Sequence, residues 1–192
     1  MELKNYDNEN LLVNALIDSD EDAYRHVISS YREPVIRLCR GFTGSHEDAE
    51  DLAQDIFLEV FRSINKFRSR SSLSTWIYRI AVNKSLNFIR DKKKEGLVEH
   101  GSQDDISSGS KADYSADTRL EQKEHAEALH NAIGRLPESQ RAAFILSKYE
   151  DMKYSEIADI MKTSKASVES LLFRAKRNLQ DNLRDYYEKN FK

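Results

Sequence analysis

Helical periodicity in this chain is interrupted at length only once, by the twenty-three residues EGLVEHGSQDDISSGSKADYSAD from Glu95 to Asp117. The stretch is rich in Gly, Ser and Asp and has no regularly spaced apolar positions. It cannot bury enough surface to offset the entropy of ordering it. The chain must therefore fold as two blocks on either side of a flexible acidic linker. Six Gly and two Pro in 192 residues leave little of the punctuation that hairpins need. The expected fold class is all-α, with two small helical domains over residues 1–94 and 118–192 joined by a linker over 95–117.

Several function classes are disfavoured at once. A lone cysteine, Cys39, excludes an internal disulfide and a thiolate-cluster metal site, and it reads as a small buried hydrophobe rather than a reactive thiol. The acidic N-terminus has no uninterrupted apolar run, and no segment approaches the ~20 apolar residues of a membrane span. A cytoplasmic protein without membrane insertion is expected. There is no phosphate-cradling glycine loop, no metal-ligand spacing, and the five histidines are scattered, so neither catalysis nor a cofactor is expected.

Charge is segregated. The formal net charge is −3, yet Arg62 to Lys94 holds ten Lys or Arg against one acid, Asp91. Glu47 to Glu59 holds six acids and no base, and Glu95 to Glu127 nine acids against three bases. Alternating blocks suggest surfaces with different partners. On a helix at ~100° per residue, Asp48, Asp51, Asp55 and Glu59 form one acidic stripe, with Ala49, Ala53, Ile56, Phe57 and Val60 opposite. Early carboxylates suit a helix N-terminus, but Asp55 and Glu59 lie beyond the first turn. Docking to a basic protein surface and a merely solvated face remain equal alternatives.

In STWIYRIAVNKSLNFIRDKKK (Ser74–Lys94), the residues Ile77, Tyr78, Ala81, Val82, Phe88 and Ile89 share the core arc. Trp76, Arg79, Asn83, Asn87 and Arg90 share the opposite one. Trp76 either covers a neighbouring helix or offers a stacking platform, where a base is worth about 1–3 kcal/mol while nearby cations hold phosphates. Asn83 lies where it would meet a base edge that a paired duplex hides. The preceding KFRSRSSLS is a short basic loop able to cradle a displaced nucleotide.

Towards the C-terminus, Pro137 opens a helix and a shorter one carries Ile157, Ala158, Ile160 and Met161. A turn around Thr163 and Ser164 follows, with Ser164 as N-cap. In the last helix Val168, Leu171, Leu172, Ala175 and Leu179 share the buried stripe, while Glu169, Ser170, Phe173, Arg174 and Arg177 face outward. A plain three-helix bundle would accommodate this pattern. The spacing fits a helix-turn-helix better, whose second helix enters the major groove.

Together these motifs resemble a bacterial RNA polymerase sigma factor of the extracytoplasmic-function type, over roughly Asp22 to Lys94 and Leu136 to Leu183. DAEDLAQDIFLEVF is similar to that family's core-binding helix, which contacts the coiled coil of the largest polymerase subunit. The resemblance implies core-binding roles for Asp48, Asp51, Leu52, Gln54, Asp55, Phe57, Glu59 and Phe61. FRSRSSLSTWIYRIAVNKSLNFIR is similar to the segment that melts and reads the −10 element. That implies non-template-strand contacts for Phe67, Arg68, Arg70, Ser71, Thr75, Trp76, Arg79, Asn83, Lys84, Asn87 and Arg90. YSEIADIMKTSKASVESLLFRAK is similar to the −35 reader, implying duplex contacts for Ser164, Lys165, Ser167, Glu169, Ser170, Phe173, Arg174 and Arg177. The implied partners are core polymerase (coiled coil and flap), promoter DNA as duplex and melted strand, and an anti-sigma protein. The recognition helix departs from the family pattern, which usually has glycine near Ala166 and basic residues near Glu169 and Leu171. Glu169 implies altered −35 preference, through cytosine's amine, or weaker binding. The competing function is a helix-turn-helix regulator acting on duplex DNA without polymerase, which leaves the acidic stripe and the Trp76–Asn83 face unexplained.

Overall fold

The computed structural model describes residue 6, residues 8–94, residue 96 and residues 116–190. Within them the chain is helical throughout its regular structure: α1 (Glu9–Ile17), α2 (Glu21–Thr43), α3 (His46–Ser63), α4 (Leu73–Lys94), α5 (Ala116–Gly134), α6 (Glu138–Lys148), α7 (Tyr154–Met161) and α8 (Lys165–Asn190). The linker expected at 95–117 falls almost wholly outside the described residues. Helix α5 begins two residues ahead of the Thr118 expected from periodicity.

Local chemistry fixes the helix ends. Asp20 caps α2 by accepting from the Asp22 and Ala23 amides. Pro34 sits inside α2 without ending it, and Gly44 stops the helix at φ +73°, the left-handed conformation that suits glycine. Ser45 then caps α3, its Oγ accepting from the Asp48 amide at 3.2 Å. Pro137 stands immediately before α6, where its missing N–H costs no hydrogen bond.

In the N-terminal unit α2, α3 and α4 pack on one another, with α1 laid along α2. Leu16, Val27, Leu38, Ile56 and Ile77 are fully buried there. Cys39 belongs to this core, its Sγ 3.9 Å from Ser85 Oγ, and burial pushes the thiol up to about 12. It is therefore inert, as its sequence context suggests. In the C-terminal unit α6, α7 and α8 enclose Ile145, Leu146, Ile157, Val168 and Ala175, with Ile133 of α5 beneath them.

The two units also touch: α4 lies against α7 and α2 against α6. The sequence left their placement open. The contact depends on Gly41 in α2, where a Cβ would stand 2.9 Å from Ile145 Cγ2 and 3.4 Å from the Tyr149 ring. Without a side chain at that point, α6 seats Ile145 directly on the α2 backbone.

Candidate nucleic-acid interface

The acidic stripe of α3 is not uniform. Its outer edge faces α4, where Lys92 Nζ meets Asp48 Oδ2 at 2.6 Å and Lys84 Nζ meets Glu59 Oε2 at 3.9 Å. Asp51, Gln54 and Asp55 are exposed, and neither aspartate has an ion-pair partner among the described residues. Leu52 and Phe57 are buried, so they support this face from below and do not contact a partner. Phe61 is half-buried against Tyr24, ring centroids 4.5 Å apart. Sequence reasoning missed Leu58, an apolar side chain 50% exposed one turn beyond Asp55 and two beyond Asp51 on the same side of α3. Its angular position amid acids was the available signal.

On α4 the structure places Trp76 closer to the covering one of its two alternatives. The indole is half-buried, as Thr75 and Arg79 are, with its ring centroid 5.4 Å from that of Phe67. Phe67 is itself buried and cannot receive a base directly. In the intervening loop Ser69 adopts φ +50°, a left-handed conformation uncommon for a residue other than glycine. Arg68, Arg70 and Ser72 remain exposed, with Ser71 half-buried. The start of α4 is capped twice: Ser72 Oγ accepts from the Thr75 amide at 3.1 Å, and Glu9 Oε2 from the Leu73 amide at 2.9 Å. Glu9 places a carboxylate where the helix dipole favours an anion. Nothing in the sequence pattern linked Glu9 to this segment, since the pairing spans the whole N-terminal unit.

Asn83 and Asn87 are exposed, and the Asn87 carboxamide oxygen accepts from Arg90 Nη1 at 3.2 Å. The two cations of this row are engaged elsewhere. Arg79 donates to the Asp159 and Ile160 carbonyls at the end of α7, at 2.7 and 3.3 Å. Arg90 holds Glu138 through two bonds of 2.7 and 2.6 Å. The arginine's hydrogen bond keeps the Glu138 carboxyl below the usual range. Beside them Glu150, its side chain 3% exposed, accepts from Arg37 at 3.2 Å and Tyr78 at 3.1 Å through one oxygen.

The α7–α8 pair has the expected helix-turn-helix connection. Lys162 turns the chain at φ +52°, and Ser164 Oγ accepts from the Ser167 amide at 3.1 Å. Lys165, Glu169, Ser170, Phe173, Arg174 and Arg177 all face outward, Ser167 partly so. Phe173 is 72% exposed, an apolar ring with nothing covering it. Thus α8 offers a mixed row of cations, one carboxylate and one ring, a composition suited to base edges and phosphates together.

Residues 27–95 match the family model of Sigma-70 region 2, and residues 126–179 that of Sigma-70, region 4. Together they span more than half the chain. The ECF RNA polymerase sigma-E factor of Haemophilus influenzae is 28% identical over 177 residues, covering 90% of this chain and 93% of that protein. The ECF RNA polymerase sigma factor SigW of Bacillus subtilis is 26% identical over 171 residues, covering 86% and 91%. Among solved structures, CnrH in complex with the cytosolic domain of CnrY superposes with a TM-score of 0.65 at 19% identity, covering 92% of this chain and 97% of that one. The sigma factor RpoE of Bartonella quintana, solved with the anti-sigma factor NepR, gives 0.57 at 22%, covering 84% and 96%.

Proposed function

The chain belongs to the sigma-70 family as an RNA polymerase sigma factor of the extracytoplasmic-function type, and on that premise we propose how its surfaces divide the work. Such a factor directs core polymerase to promoters and is not itself expected to catalyse. Residues 1–94 form the unit that binds core and captures the −10 strand, 95–117 the linker, and 118–192 the −35 reader. The working compartment is the cytoplasm, where polymerase is; no helix among the described residues is long and apolar enough to cross a membrane.

Core polymerase docks on the exposed strip of α3. Asp51 and Asp55 supply charge free of internal partners, Gln54 a hydrogen-bonding edge, and Leu58 the apolar centre. Asp48 and Glu59 frame the strip while holding α4 in place. The melted strand runs along α4 and the loop before it. Arg68 and Arg70 take phosphates, Asn83 and Asn87 read an unpaired base, and Trp76 offers the exposed part of its indole, backed by Phe67. Arg79 and Arg90 join them once released from the C-terminal unit. Lys84, Ser71 and Thr75 complete the lining. On the duplex, α8 lies in the major groove with Lys165, Ser167, Ser170, Arg174 and Arg177 towards the backbone and base edges, and Phe173 against a thymine methyl. Glu169 favours cytosine at the base pair it meets. An anti-sigma protein, as the RpoE complex contains, is a further partner.

One observation carries this reading: a bare acidic strip, an amide-bearing cationic helix and a helix-turn-helix occur in that order on one chain. A duplex-binding regulator without polymerase would need only the third. Run-off transcription with purified core enzyme over a library of genomic fragments tests it directly. Discrete transcripts dependent on this chain are expected. The paired substitution Asp51→Lys with Asp55→Lys should abolish capture by core while the helical circular dichroism is unchanged. Wild-type capture by that variant would remove α3 from the docking surface.

A further inference from the structure

The loop that presents Arg68 and Arg70 runs from Phe67 to Ser72, and α1 holds it at both ends. Ahead of the loop, the 3₁₀ turn Ile64–Lys66 packs against α1, and the Phe67 amide donates to the Ile64 carbonyl at 2.9 Å. Behind it, the Leu73 amide donates to Glu9 Oε2 at 2.9 Å, across 64 residues of sequence. The backbone that carries Glu9 is itself ordered, because Asn8 caps α1 by accepting from the Asn10 and Leu11 amides. Nearby, Tyr31 of α2 shares a hydrogen bond with the Ser74 side chain; burial, with a smaller push from the Glu9 charge, holds its phenol above the ordinary value. Between these fixed ends Ser69 keeps its φ of +50°, which its surroundings must impose. Glu9 is none of the residues assigned above to the core, strand or duplex surfaces.

We propose that Glu9 is a positioning residue for strand capture: its carboxylate, bonded to the Leu73 amide, sets the Phe67–Ser72 loop and the first turn of α4 where they receive an unpaired nucleotide. This rests on the functional reading above and adds to it a residue that touches no DNA. The bond is charge-assisted and lies at the positive end of the α4 dipole. It takes one of the amides that α4 leaves without an intrahelical partner, and Ser72 Oγ takes that of Thr75 at 3.1 Å. With those two amides occupied, strand phosphates fall to the exposed side chains of Arg68 and Arg70. A flexible strand is held tightly only where its receiver is already ordered. Loosening one end of the loop therefore weakens capture while every group that contacts the strand stays in place.

Two readouts on the full chain test this. Trp76 is the only tryptophan, and its ring packs on Phe67 at the start of the loop, so quenching of its fluorescence by neutral acrylamide reports loop order. Opening is the rate at which thymines become permanganate-reactive when chain and core polymerase meet the genomic fragment giving the strongest run-off transcript. Glu9→Ala, at an exposed site, should raise acrylamide access towards that of the unfolded chain and slow opening about five- to ten-fold, the worth of one cap. Capture by core should be unchanged. Glu9→Gln, whose carboxamide oxygen can still accept from Leu73, should restore both readouts. Ser45→Ala removes the cap at the far end of α3 and controls for stability alone; it should leave Trp76 quenching and opening as in wild type. Normal opening by Glu9→Ala overturns the proposal, as does a Glu9→Gln or Ser45→Ala chain as slow as Glu9→Ala. Arg68→Ala with Arg70→Ala, and Asn83→Ala, separate the two readings. If these are slow while Glu9→Ala is not, only the positioning role fails; if they too open normally, strand capture by this face fails.

Discussion

At Gly44 the backbone turns with φ +73°, and a Cβ there would stand 2.3 Å from Nε2 of His130. Two separate penalties therefore meet any substitution: left-handed strain of about 1–2 kcal/mol and collision with a ring from the other unit. Gly44→Ala should cost about 2 kcal/mol or more of unfolding free energy, read as a lower denaturant midpoint at constant slope. A change within experimental error would show that α5 does not rest on this corner. The same ring responds to pH. Burial, with a smaller push from Arg141, holds His130 below its ordinary value. Its native form is thus neutral, and the unfolded chain takes up the proton first. Stability from this group is complete above about pH 6.5 and falls as pH drops below that value. Glu150 has the opposite sign, because its raised value makes the buried charge costly at neutral pH and less so in acid. Thermal unfolding at pH 7.5 and pH 5.8 should show a loss for wild type that shrinks in His130→Gln. An equal loss in both would assign the acid sensitivity to other groups.

At the level of elements, capping is the most readily tested claim. Ser164 makes the side-chain bond that opens the recognition helix, and Ser164→Ala should cost about 1 kcal/mol of stability. Because fraying would begin at Lys165, duplex affinity should fall with it; a stable variant with weakened DNA binding would instead assign Ser164 to contact. The helices themselves were legible from sequence. Val168, Leu171, Ala175 and Leu179 are buried in the order their spacing implies, and Ile77, Tyr78, Ala81 and Val82 likewise. What periodicity could not supply was how one element spends its side chains on another. Asp48 and Glu59 looked equivalent to Asp51 and Asp55, yet only the first two face lysines of α4. Trp76 had the right angle to point outward, but Phe67 across the loop draws it in. Glu9 at the start of α4 and Gly41 under Ile145 are non-local contacts, and a single helix has no period that reports them. For strand capture the consequence is specific. Asn83→Ala, at an exposed site, should impair promoter opening by about 1–3 kcal/mol with stability unchanged. Trp76→Ala should reduce both, because its ring also packs. Equal stability in the two would return Trp76 to a purely exposed role.

Across the whole molecule, charge decides how the chain meets DNA. The net charge of −3 gives no bulk attraction to a polyanion. With Arg79 held by α7 carbonyls and Arg90 by Glu138, the exposed cations that α8 brings to a duplex are Lys165, Arg174, Lys176 and Arg177. Each phosphate neutralised contributes about −0.9 to the slope of log K against log salt. Four such contacts predict a slope of about −3.6 for the purified chain on duplex promoter DNA, and weak binding at physiological salt. Glu169→Arg should steepen that slope by about one further contact and raise affinity across unrelated sequences, whereas a base-reading Glu169 would make the same variant change which sequences are preferred. A slope much steeper than about −3.6 in the unmodified chain would mean that further cations, Arg68 and Arg70 of the loop before α4 among them, also lie on the duplex. One titration against salt thus tests whether duplex binding is confined to the cations of α8.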